Sequence, residues 1–376
     1  MSVIGNESDF LNDYWQKKPK VYRDCFNHLQ EVISGDDLAG LACENEVESR
    51  IISGLGLNDP WCCRQGPFVE DDFSDLDDKN WTLLVQGVDQ WDSEIRSVLA
   101  EFRFLPSWRL DDVMASYAPM GGGVGPHFDN YDVFLIQAGG SRQWKIGQRC
   151  DNHTKLQENS QVKLLAEFQC ELIFELNPGD MIYVPAGVAH WGTAVTDDCI
   201  TLSVGFRAPS DKQLICQTLE NLLEYFSDSS DQETCFYQDT TSSMDLISAK
   251  INQNAHLSID NLLTSLTPEI LQAESHRAFG QLVTEPRQRV EIEYDKEWTA
   301  KEVENLLKSS NFIAITQLTH SRLAFSEDTL FVNGQTYTVA ESFSNMLCDG
   351  GISRLLSENE MDIFLELLNQ GAITIN

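Results

Sequence analysis

The distribution of apolar residues changes along the 376-residue chain. From about residue 81 to residue 206, short runs rich in β-branched and aromatic residues alternate with clusters of Gly, Pro, Asn and Asp. This pattern predicts many short strands in an antiparallel sandwich or barrel, because a parallel sheet would require alternating helices. The predicted strands span residues 81–85, 133–137, 143–146, 172–176, 181–184 and 200–206.

The segments on either side of this region have a helical pattern. Residues 1–60 are predicted to be helical and irregular, with an amphipathic turn around Phe10 and a break at Pro19. Residues 227–245 are acidic and lack Lys and Arg, which predicts a linker, and residues 246–283 are predicted to be helical again. After Pro209, an apolar stripe predicts a helix that needs a packing partner, which favours a homodimer; the stripe contains Leu214, Leu219, Leu222, Leu223, Tyr225 and Phe226.

The last ninety or so residues predict a small mixed domain. Asn333-Gly334 between two apolar runs is a strong hairpin signal, because both positions of a type I′ turn need positive φ. Helices over 301–309, 340–348 and 357–369 and a terminal strand complete a winged-helix-like pattern. The predicted domains are therefore 1–209 with a barrel core at about 81–208, a helical dimerisation region at 210–285, and a winged-helix-like domain at 286–376.

Charge and cysteine content narrow the range of partners. Asp and Glu outnumber Lys and Arg by 59 to 26, a formal charge of −33, which disfavours direct binding to nucleic acid and favours a basic protein partner. The C-terminal domain is accordingly expected to act as a scaffold or dimer element. No apolar run approaches the roughly 18 residues of a membrane span, and no export signal is evident. The ten cysteines show no CxxC spacing, so we expect reduced thiols, including adjacent Cys62 and Cys63, and a cytoplasmic location.

Three residues suggest a metal site. His127 and Asp129 follow a glycine-rich approach, and residues i and i+2 of a strand point to the same face. His190 follows a strand and a Pro-x-Gly turn, from which it can supply a third ligand. Two imidazoles and one carboxylate are the ligand set of non-haem Fe(II) oxygenases, which leaves other coordination positions open.

The combined motifs resemble a known family. They are 10–19 (Phe10-Leu11 with YWQKKP), 121–133 (GGGVGPHFDNYDV), 178–190 and 203–209 (SVGFRAP). With these motifs the chain resembles the JmjC-type 2-oxoglutarate oxygenases, and among them the bacterial ribosomal oxygenases related to the YcfD hydroxylase. The resemblance implies an α+β fold with a mainly β core, in which a double-stranded β-helix (cupin/JmjC) barrel precedes a helical dimerisation region and a winged helix. It also implies hydroxylation of an arginine β-carbon in a large-subunit ribosomal protein of the L-sixteen family, with Fe(II), 2-oxoglutarate and O₂.

The resemblance also suggests roles for individual residues. Arg142 matches the position of the cation that binds the far carboxylate of 2-oxoglutarate, and Lys145 is its rival, although strand alternation puts Lys145 on the opposite face. Ser116 and Tyr117 are expected to help hold the cosubstrate. For the substrate, the expected residues are Asp112, as the acid that pairs with arginine and the better candidate of the pair Asp111-Asp112, together with Tyr131 and Ser203. No catalytic residue beyond the metal ligands is predicted.

Three alternatives remain open from the sequence. One is a metal cupin that does not use 2-oxoglutarate, although such cupins commonly present HxH rather than the His-Phe-Asp found at 127–129. Another is a transcriptional regulator, which the negative charge disfavours. The third is a JmjC hydroxylase that acts on a histidine of another ribosomal protein.

Overall fold

The protein folds into two compact units. The structure, a computed structural model, describes residues 3–29, 32–57, 60–158, 161–228, 253–287, 297–310 and 312–376. The first unit consists of Met1–Ala208, Arg287–Asp295 and Gln317–His320, and the second contains the remaining residues. Most of the acidic stretch 227–245 lies outside the described residues.

The first unit is built from two antiparallel sheets. The strands are β1 (Lys20–Tyr22), β2 (Ser49–Ser53), β3 (Cys62–Gln65), β4 (Trp81–Val85), β5 (Leu110–Ala118), β6 (Val133–Gly139), β7 (Arg142–Arg149), β8 (Cys170–Leu176), β9 (Met181–Val184), β10 (Val188–Ala194) and β11 (Cys199–Phe206). Eight strands form one sheet in the order β1-β9-β6-β11-β5-β4-β2-β3, and the other sheet has the order β10-β7-β8. Apolar residues from both sheets, including Val133, Trp144, Ile182 and Val188, pack together between them.

Alternation along the central strands separates a closed core from an open cavity. On β5, Val113 and Ala115 belong to the main apolar core, whereas Met114 and Ser116 line a cavity on the opposite face. Strands β6 and β11 alternate in the same way. This period of two is the ordinary geometry of a strand, and it determines which residues of each strand can take part in a site.

The N-terminal segment packs against the outer face of this sheet. Helix α1 (Glu7–Asp13) buries Phe10 against Tyr183, with ring centroids 5.0 Å apart. The backbone N–H of Gln16 donates to the Tyr183 hydroxyl at 2.7 Å, and that hydroxyl donates to Asp132 at 2.6 Å. The N-terminal motif therefore helps to hold Asp132 in place, three residues after Asp129 in the same segment. The other short helices of this unit are α2 (Gly35–Leu41), α3 (Glu70–Ser74) and α4 (Ser93–Ser97).

The second unit contains a helical part and a mixed part. In the helical part, α5 (Asp211–Asp228) packs on α7 (Pro268–Thr284), where Asn221 donates to Gln281 at 2.9 Å and Arg277 pairs with Glu224 at 2.7 Å. The mixed part has its own apolar core around Phe343 and Phe364. The remaining elements are α6 (Gln253–Leu262), α8 (Ala300–Ser309), β12 (Ile313–Gln317), β13 (Leu323–Ser326), β14 (Thr329–Val332), β15 (Gln335–Thr338), α9 (Glu341–Cys348), β16 (Gly351–Ile352), α10 (Glu358–Asn369) and β17 (Ile373–Ile375).

The structure confirms the predicted fold class and most of the predicted elements. All six predicted barrel strands are present, and Asn333 and Gly334 both have positive φ in the hairpin that joins β14 to β15. The prediction that residues 1–60 contain only helical and irregular structure is wrong, because β1 and β2 lie there and join the large sheet. Cys62 and Cys63 are free thiols. The division into three domains stays a prediction.

Among the described helices, none combines the length and the apolar character that crossing a bilayer requires.

Candidate active site

The residues His127 and His190 are direct neighbours across an antiparallel bridge. Each backbone N–H donates to the carbonyl of the other residue, at 3.1 and 2.8 Å. The carbonyl of Asp129 accepts from the N–H of Gly187 at 2.7 Å, which ties the turn before β10 to the segment before β6. The pairing of β10 with β7 shifts register between Val188 and His190. These backbone contacts bring two distant motifs of the sequence to one place.

The glycine-rich approach to His127 is required by close packing. A Cβ atom at Gly123 would lie 2.3 Å from the carbonyl oxygen of Gly192. Gly125 has φ of +80°, and a Cβ atom there would lie 2.8 Å from Leu164. Only glycine fits both conditions without a shift of the backbone or its neighbours, so these residues position His127 rather than contribute chemistry.

The side chains of His127, Asp129 and His190 form a compact donor set. Their ligand atoms all lie within 4.8 Å of one another. The Nδ1 atoms of His127 and His190 lie 2.9 and 3.0 Å from the carbonyls of Gly125 and Val188, and a proton on each Nδ1 would leave both Nε2 atoms available for a metal. Burial lowers the pKa of His190 to about 4, and the neighbouring His127 adds to this effect, so His190 is a neutral ligand at neutral pH. The set therefore fits a divalent metal.

The donor set lies in a cavity of about 470 Å³ that also contains the cation Arg142. Arg142 is only 3% exposed, and within the described residues its Nε and Nη2 atoms have no hydrogen-bond partner. Since unpaired buried donors are unfavourable, a ligand with an anionic group is expected to satisfy them. Lys145 takes the alternate position on β7, with its Nζ 4.9 Å from the centre of the Trp191 ring, and it does not line this cavity.

An acidic side chain forms another part of the cavity wall. Asp112 is 3% exposed, and its Oδ2 accepts from the Gln86 side chain at 2.6 Å and from the Gly87 N–H at 3.0 Å. A Cβ atom at Gly205 would lie 3.8 Å from Asp112 Oδ1 and 3.9 Å from the Tyr131 ring, so the absence of a side chain there leaves room beside the acid. Ser203 lines the same wall. The cavity thus combines metal donors, a cation and a carboxylate.

Most of the residues singled out in the sequence come together here, but Tyr117 does not. The cavity is lined by all three predicted metal ligands and by Arg142, Ser116, Asp112, Tyr131 and Ser203. Tyr117 follows Ser116 on β5 and therefore points to the other face, where its hydroxyl donates to Asp198 at 2.9 Å. The expectation that Tyr117 helps to hold a cosubstrate is corrected by this alternation.

The sequence interpretation missed several residues around the acid. Gln86 follows β4, and its position could have been inferred from the end of that strand. Arg207 pairs with Asp111 at 3.1 Å and lies within the motif 203–209, of which only Ser203 was expected to contribute to the site. Arg287 also pairs with Asp111, at 2.8 Å, and lines the cavity, although no local pattern in the sequence indicates this.

Two family models match the chain. The JmjC domain model matches residues 97–214, which include all three donor residues and Arg142. The ROXA-like winged helix model matches residues 271–373.

Curated proteins and solved structures are similar to the chain. The ribosomal protein uL16 3-hydroxylase of Escherichia coli K12 is 40% identical over 235 residues, which are 59% of this chain and 60% of that protein. A probable ribosomal oxygenase of Haemophilus influenzae is 41% identical over 55% of this chain and 50% of its own length. The matched region thus spans less than two thirds of either relative. The X-ray structure of E. coli YcfD aligns with a TM-score of 0.80 at 30% identity and covers 99% of this chain and 98% of that one. A YcfD structure in complex with cobalt and 2-oxoglutarate aligns with a TM-score of 0.78 at 29% identity, with the same coverage.

Proposed function

Because the chain belongs to the JmjC-domain ribosomal oxygenases, the family of E. coli YcfD, we propose that it is an Fe(II)- and 2-oxoglutarate-dependent protein hydroxylase. Its proposed substrate is an arginine of a basic large-subunit ribosomal protein, the uL16 type on which the E. coli relative is named to act, hydroxylated at the β-carbon. The observation that carries this proposal is the single cavity that contains the His-Asp-His donors, the unpaired Arg142 and the carboxylate of Asp112.

The metal donors and Arg142 fit the cofactor and the cosubstrate. His127, Asp129 and His190 would hold Fe(II) with open positions beside them. The Arg142 guanidinium would bind the far carboxylate of 2-oxoglutarate as a two-pronged donor, with Ser116 nearby on β5. When bound, Fe(II) and 2-oxoglutarate supply the oxidation: O₂ gives one oxygen atom to the substrate carbon, and the other converts 2-oxoglutarate to succinate and CO₂.

The acidic wall would select the substrate side chain. Asp112 is buried, and a guanidinium is the side-chain cation best suited to a buried carboxylate, because it is planar, weakly hydrated and always charged. Tyr131 and Ser203 lie on the same wall and would flank the substrate.

The test uses the full chain with Fe(II), 2-oxoglutarate and a basic peptide from the ribosomal protein with a central arginine. We expect the peptide to gain one oxygen atom by mass spectrometry, and fragmentation should place that atom on the arginine β-carbon. Peptides with lysine or histidine at the same position should remain unmodified, since neither matches the planar guanidinium geometry. Asp129→Ala should abolish turnover while the circular dichroism spectrum is preserved, because it removes the anionic ligand from a solvent-open site.

The possible results separate the alternatives. Hydroxylation of the histidine peptide in preference to the arginine peptide would identify a histidyl hydroxylase instead. The proposed metal site would be contradicted if the protein still converted 2-oxoglutarate to succinate at the wild-type rate after substitution of His127, Asp129 or His190. A chain that binds metal but never consumes 2-oxoglutarate would be a different kind of metal cupin.

We further propose that the protein is a homodimer in the cytoplasm. On α5, the side chains of Ile215, Leu219, Leu223 and Phe226 are between 38% and 71% exposed within the described part of the chain. Their spacing places them on one stripe of the helix, here called the α5 stripe, while Leu222 is buried on an adjoining face. A second copy of the chain would cover such a stripe. A cytoplasmic location agrees with free thiols and with a ribosomal protein as substrate.

A further inference from the structure

Two arginines and two aspartates meet at the wall of the cavity, at the start of β5. Asp111 Oδ1 lies 3.1 Å from Arg207 Nε, and its Oδ2 lies 2.8 Å from Arg287 Nη2. Arg287 belongs to the first unit, although the residues just before it in the sequence belong to the second. Its side chain is one third exposed and lines the same cavity as the metal donors. Arg287 is therefore part of the site, although it is neither one of the metal donors nor the cation expected to bind the cosubstrate.

The two aspartates are engaged in different ways. Both oxygens of Asp111 contact arginine side chains. Asp112 instead accepts from the neutral donors Gln86 and Gly87 through Oδ2, and its Oδ1 faces the space beside Gly205. Arg287 Nη1 stands 4.0 Å from Asp112 Oδ2, which is beyond hydrogen-bond length but within the range of a strong electrostatic attraction. The charge of Arg287 thus acts on Asp112 without occupying its remaining acceptor.

We propose that Arg287 is a positioning residue for the substrate arginine: it anchors Asp111 and keeps the neighbouring Asp112 a carboxylate that is open to the incoming guanidinium. This inference rests on the proposed function, because it assumes that Asp112 binds the substrate. Arg287 itself touches neither the metal donors nor the cosubstrate in this role.

The electrostatic environment of Asp112 supports the inference. Burial raises the pKa of Asp112 to about 6, and the negative charges of Asp111 and Asp89 act in the same direction. Arg287 and the hydrogen bond from Gln86 oppose this shift, and the Tyr131 hydroxyl, which also faces Asp112, is neutral over the relevant range because burial raises its pKa. Removal of the Arg287 charge would raise the pKa of Asp112 further. At neutral pH a larger fraction of Asp112 would then carry a proton and could not pair with a cation.

The test compares wild-type protein with Arg287→Gln, Arg287→Lys and the control Arg64→Gln. Arg64 forms an ion pair with Asp72 and does not line the cavity. At about pH 6.5, Arg287→Gln should raise the KM for the arginine peptide at least about threefold relative to wild type, and the ratio should shrink toward one at about pH 8.5 as Asp112 ionises. Arg287→Lys, which keeps the charge, should recover most of the loss. The KM for 2-oxoglutarate should not change, and Arg64→Gln should match wild type.

A measurement without substrate makes the two proposals separable. The protein would be labelled isotopically at its aspartate carboxyl carbons, and their NMR signals would be followed as a function of pH. The signal that disappears in Asp112→Asn belongs to Asp112. Its pKa should be higher in Arg287→Gln than in wild type. The inference would be overturned if the pKa of Asp112 were the same in Arg287→Gln and in wild type. It would also be overturned if Arg287→Gln lowered the KM for the peptide, because Arg287 would then occupy the binding position of the substrate guanidinium and would have to be displaced. If the titration shifts but wild type hydroxylates no arginine peptide, the proposed substrate is wrong and the effect of Arg287 on Asp112 still stands.

Discussion

At the scale of single residues, the site is marked by buried polar atoms that lack a hydrogen-bond partner among the described residues. Arg142 is buried in the cavity, and its Nε and Nη2 atoms have no partner within the described residues, whereas Lys145 lies against the Trp191 ring. Leaving a buried donor unsatisfied costs about 1–3 kcal/mol, so such a residue indicates a ligand more strongly than a cation at the surface would.

Arg142→Ala should therefore weaken the use of 2-oxoglutarate selectively. Hydrogen bonds to charged groups contribute about 1.5–3 kcal/mol each, so loss of a paired contact predicts a rise in the KM for 2-oxoglutarate of at least about tenfold. The KM for the peptide should change little. Initial-rate kinetics with each substrate varied in turn would measure both values, and Lys145→Ala is the matched control. Equal effects of Arg142→Ala on both substrates, or a larger effect of Lys145→Ala, would move the carboxylate site away from Arg142.

The residues of the site differ in how far the sequence could reveal them. His127 and Asp129 could be predicted because they are two positions apart, and one strand-like segment aims both in the same direction. The error at Tyr117 came from choosing adjacent residues on a strand, which cannot face one cavity together. Arg287 could not be predicted, since it is separated from Asp111 by 176 positions and its side chain reaches the site only through the tertiary fold.

At the scale of elements, strand prediction succeeded where a strand is rich in apolar residues. Strands β4 and β9 were predicted with the observed bounds because nearly every residue in them is apolar and buried. Strand β3 reads Cys-Cys-Arg-Gln and is mostly exposed at the edge of the sheet, so it carries no hydrophobic signal. In contrast to β3, helix α5 has a clear hydrophobic pattern, which predicted the helix correctly. The same pattern indicated apolar side chains that the rest of its unit does not cover.

Disruption of the α5 stripe should dissociate the proposed dimer. Leu219→Glu combined with Leu223→Glu would place two charges in the apolar contact, which is strongly unfavourable when they are buried. Sedimentation equilibrium at micromolar concentration should give the mass of two chains for wild type and of one chain for the variant. Glu220→Gln, on the same helix but outside the α5 stripe, should remain dimeric. A wild-type mass of one chain would remove the dimer from the proposal.

At the scale of the whole molecule, the net charge affects the rate of encounter with a substrate, whereas the residues of the cavity determine which side chain is bound. A charge of −33 attracts a basic protein over a distance that depends on salt, but it cannot select one side chain. Selection falls to the cavity, where Asp111 and Asp112 are balanced by Arg207 and Arg287. The charge of the molecule should therefore affect how fast the substrate arrives rather than which residue is hydroxylated.

Salt should accordingly slow turnover of the intact ribosomal protein more than turnover of a short peptide. The screening length falls from about 30 Å at 0.01 M to about 8 Å at 0.15 M ionic strength, and steered association changes by about tenfold or more over such ranges. We expect kcat/KM for the basic protein to fall by about that factor, and kcat/KM for a peptide of near-zero net charge to stay within about twofold. Equal salt dependence of both substrates would show that long-range attraction has no part in the encounter.

The register shift between Val188 and His190 determines which mutations the site can tolerate during evolution. The direction of the His190 imidazole depends on how many residues separate it from the turn at Gly187, since a one-residue change of length on a strand sends a side chain to the other face. The Ala186 side chain, by contrast, is not among those that line the cavity. Replacement of Ala186 by another residue should therefore be tolerated. A single insertion or deletion between Gly187 and His190 would keep all three ligand residues in the sequence but would still abolish the metal site. Among distant homologues, conserved spacing is consequently a better guide to retained activity than conserved identity.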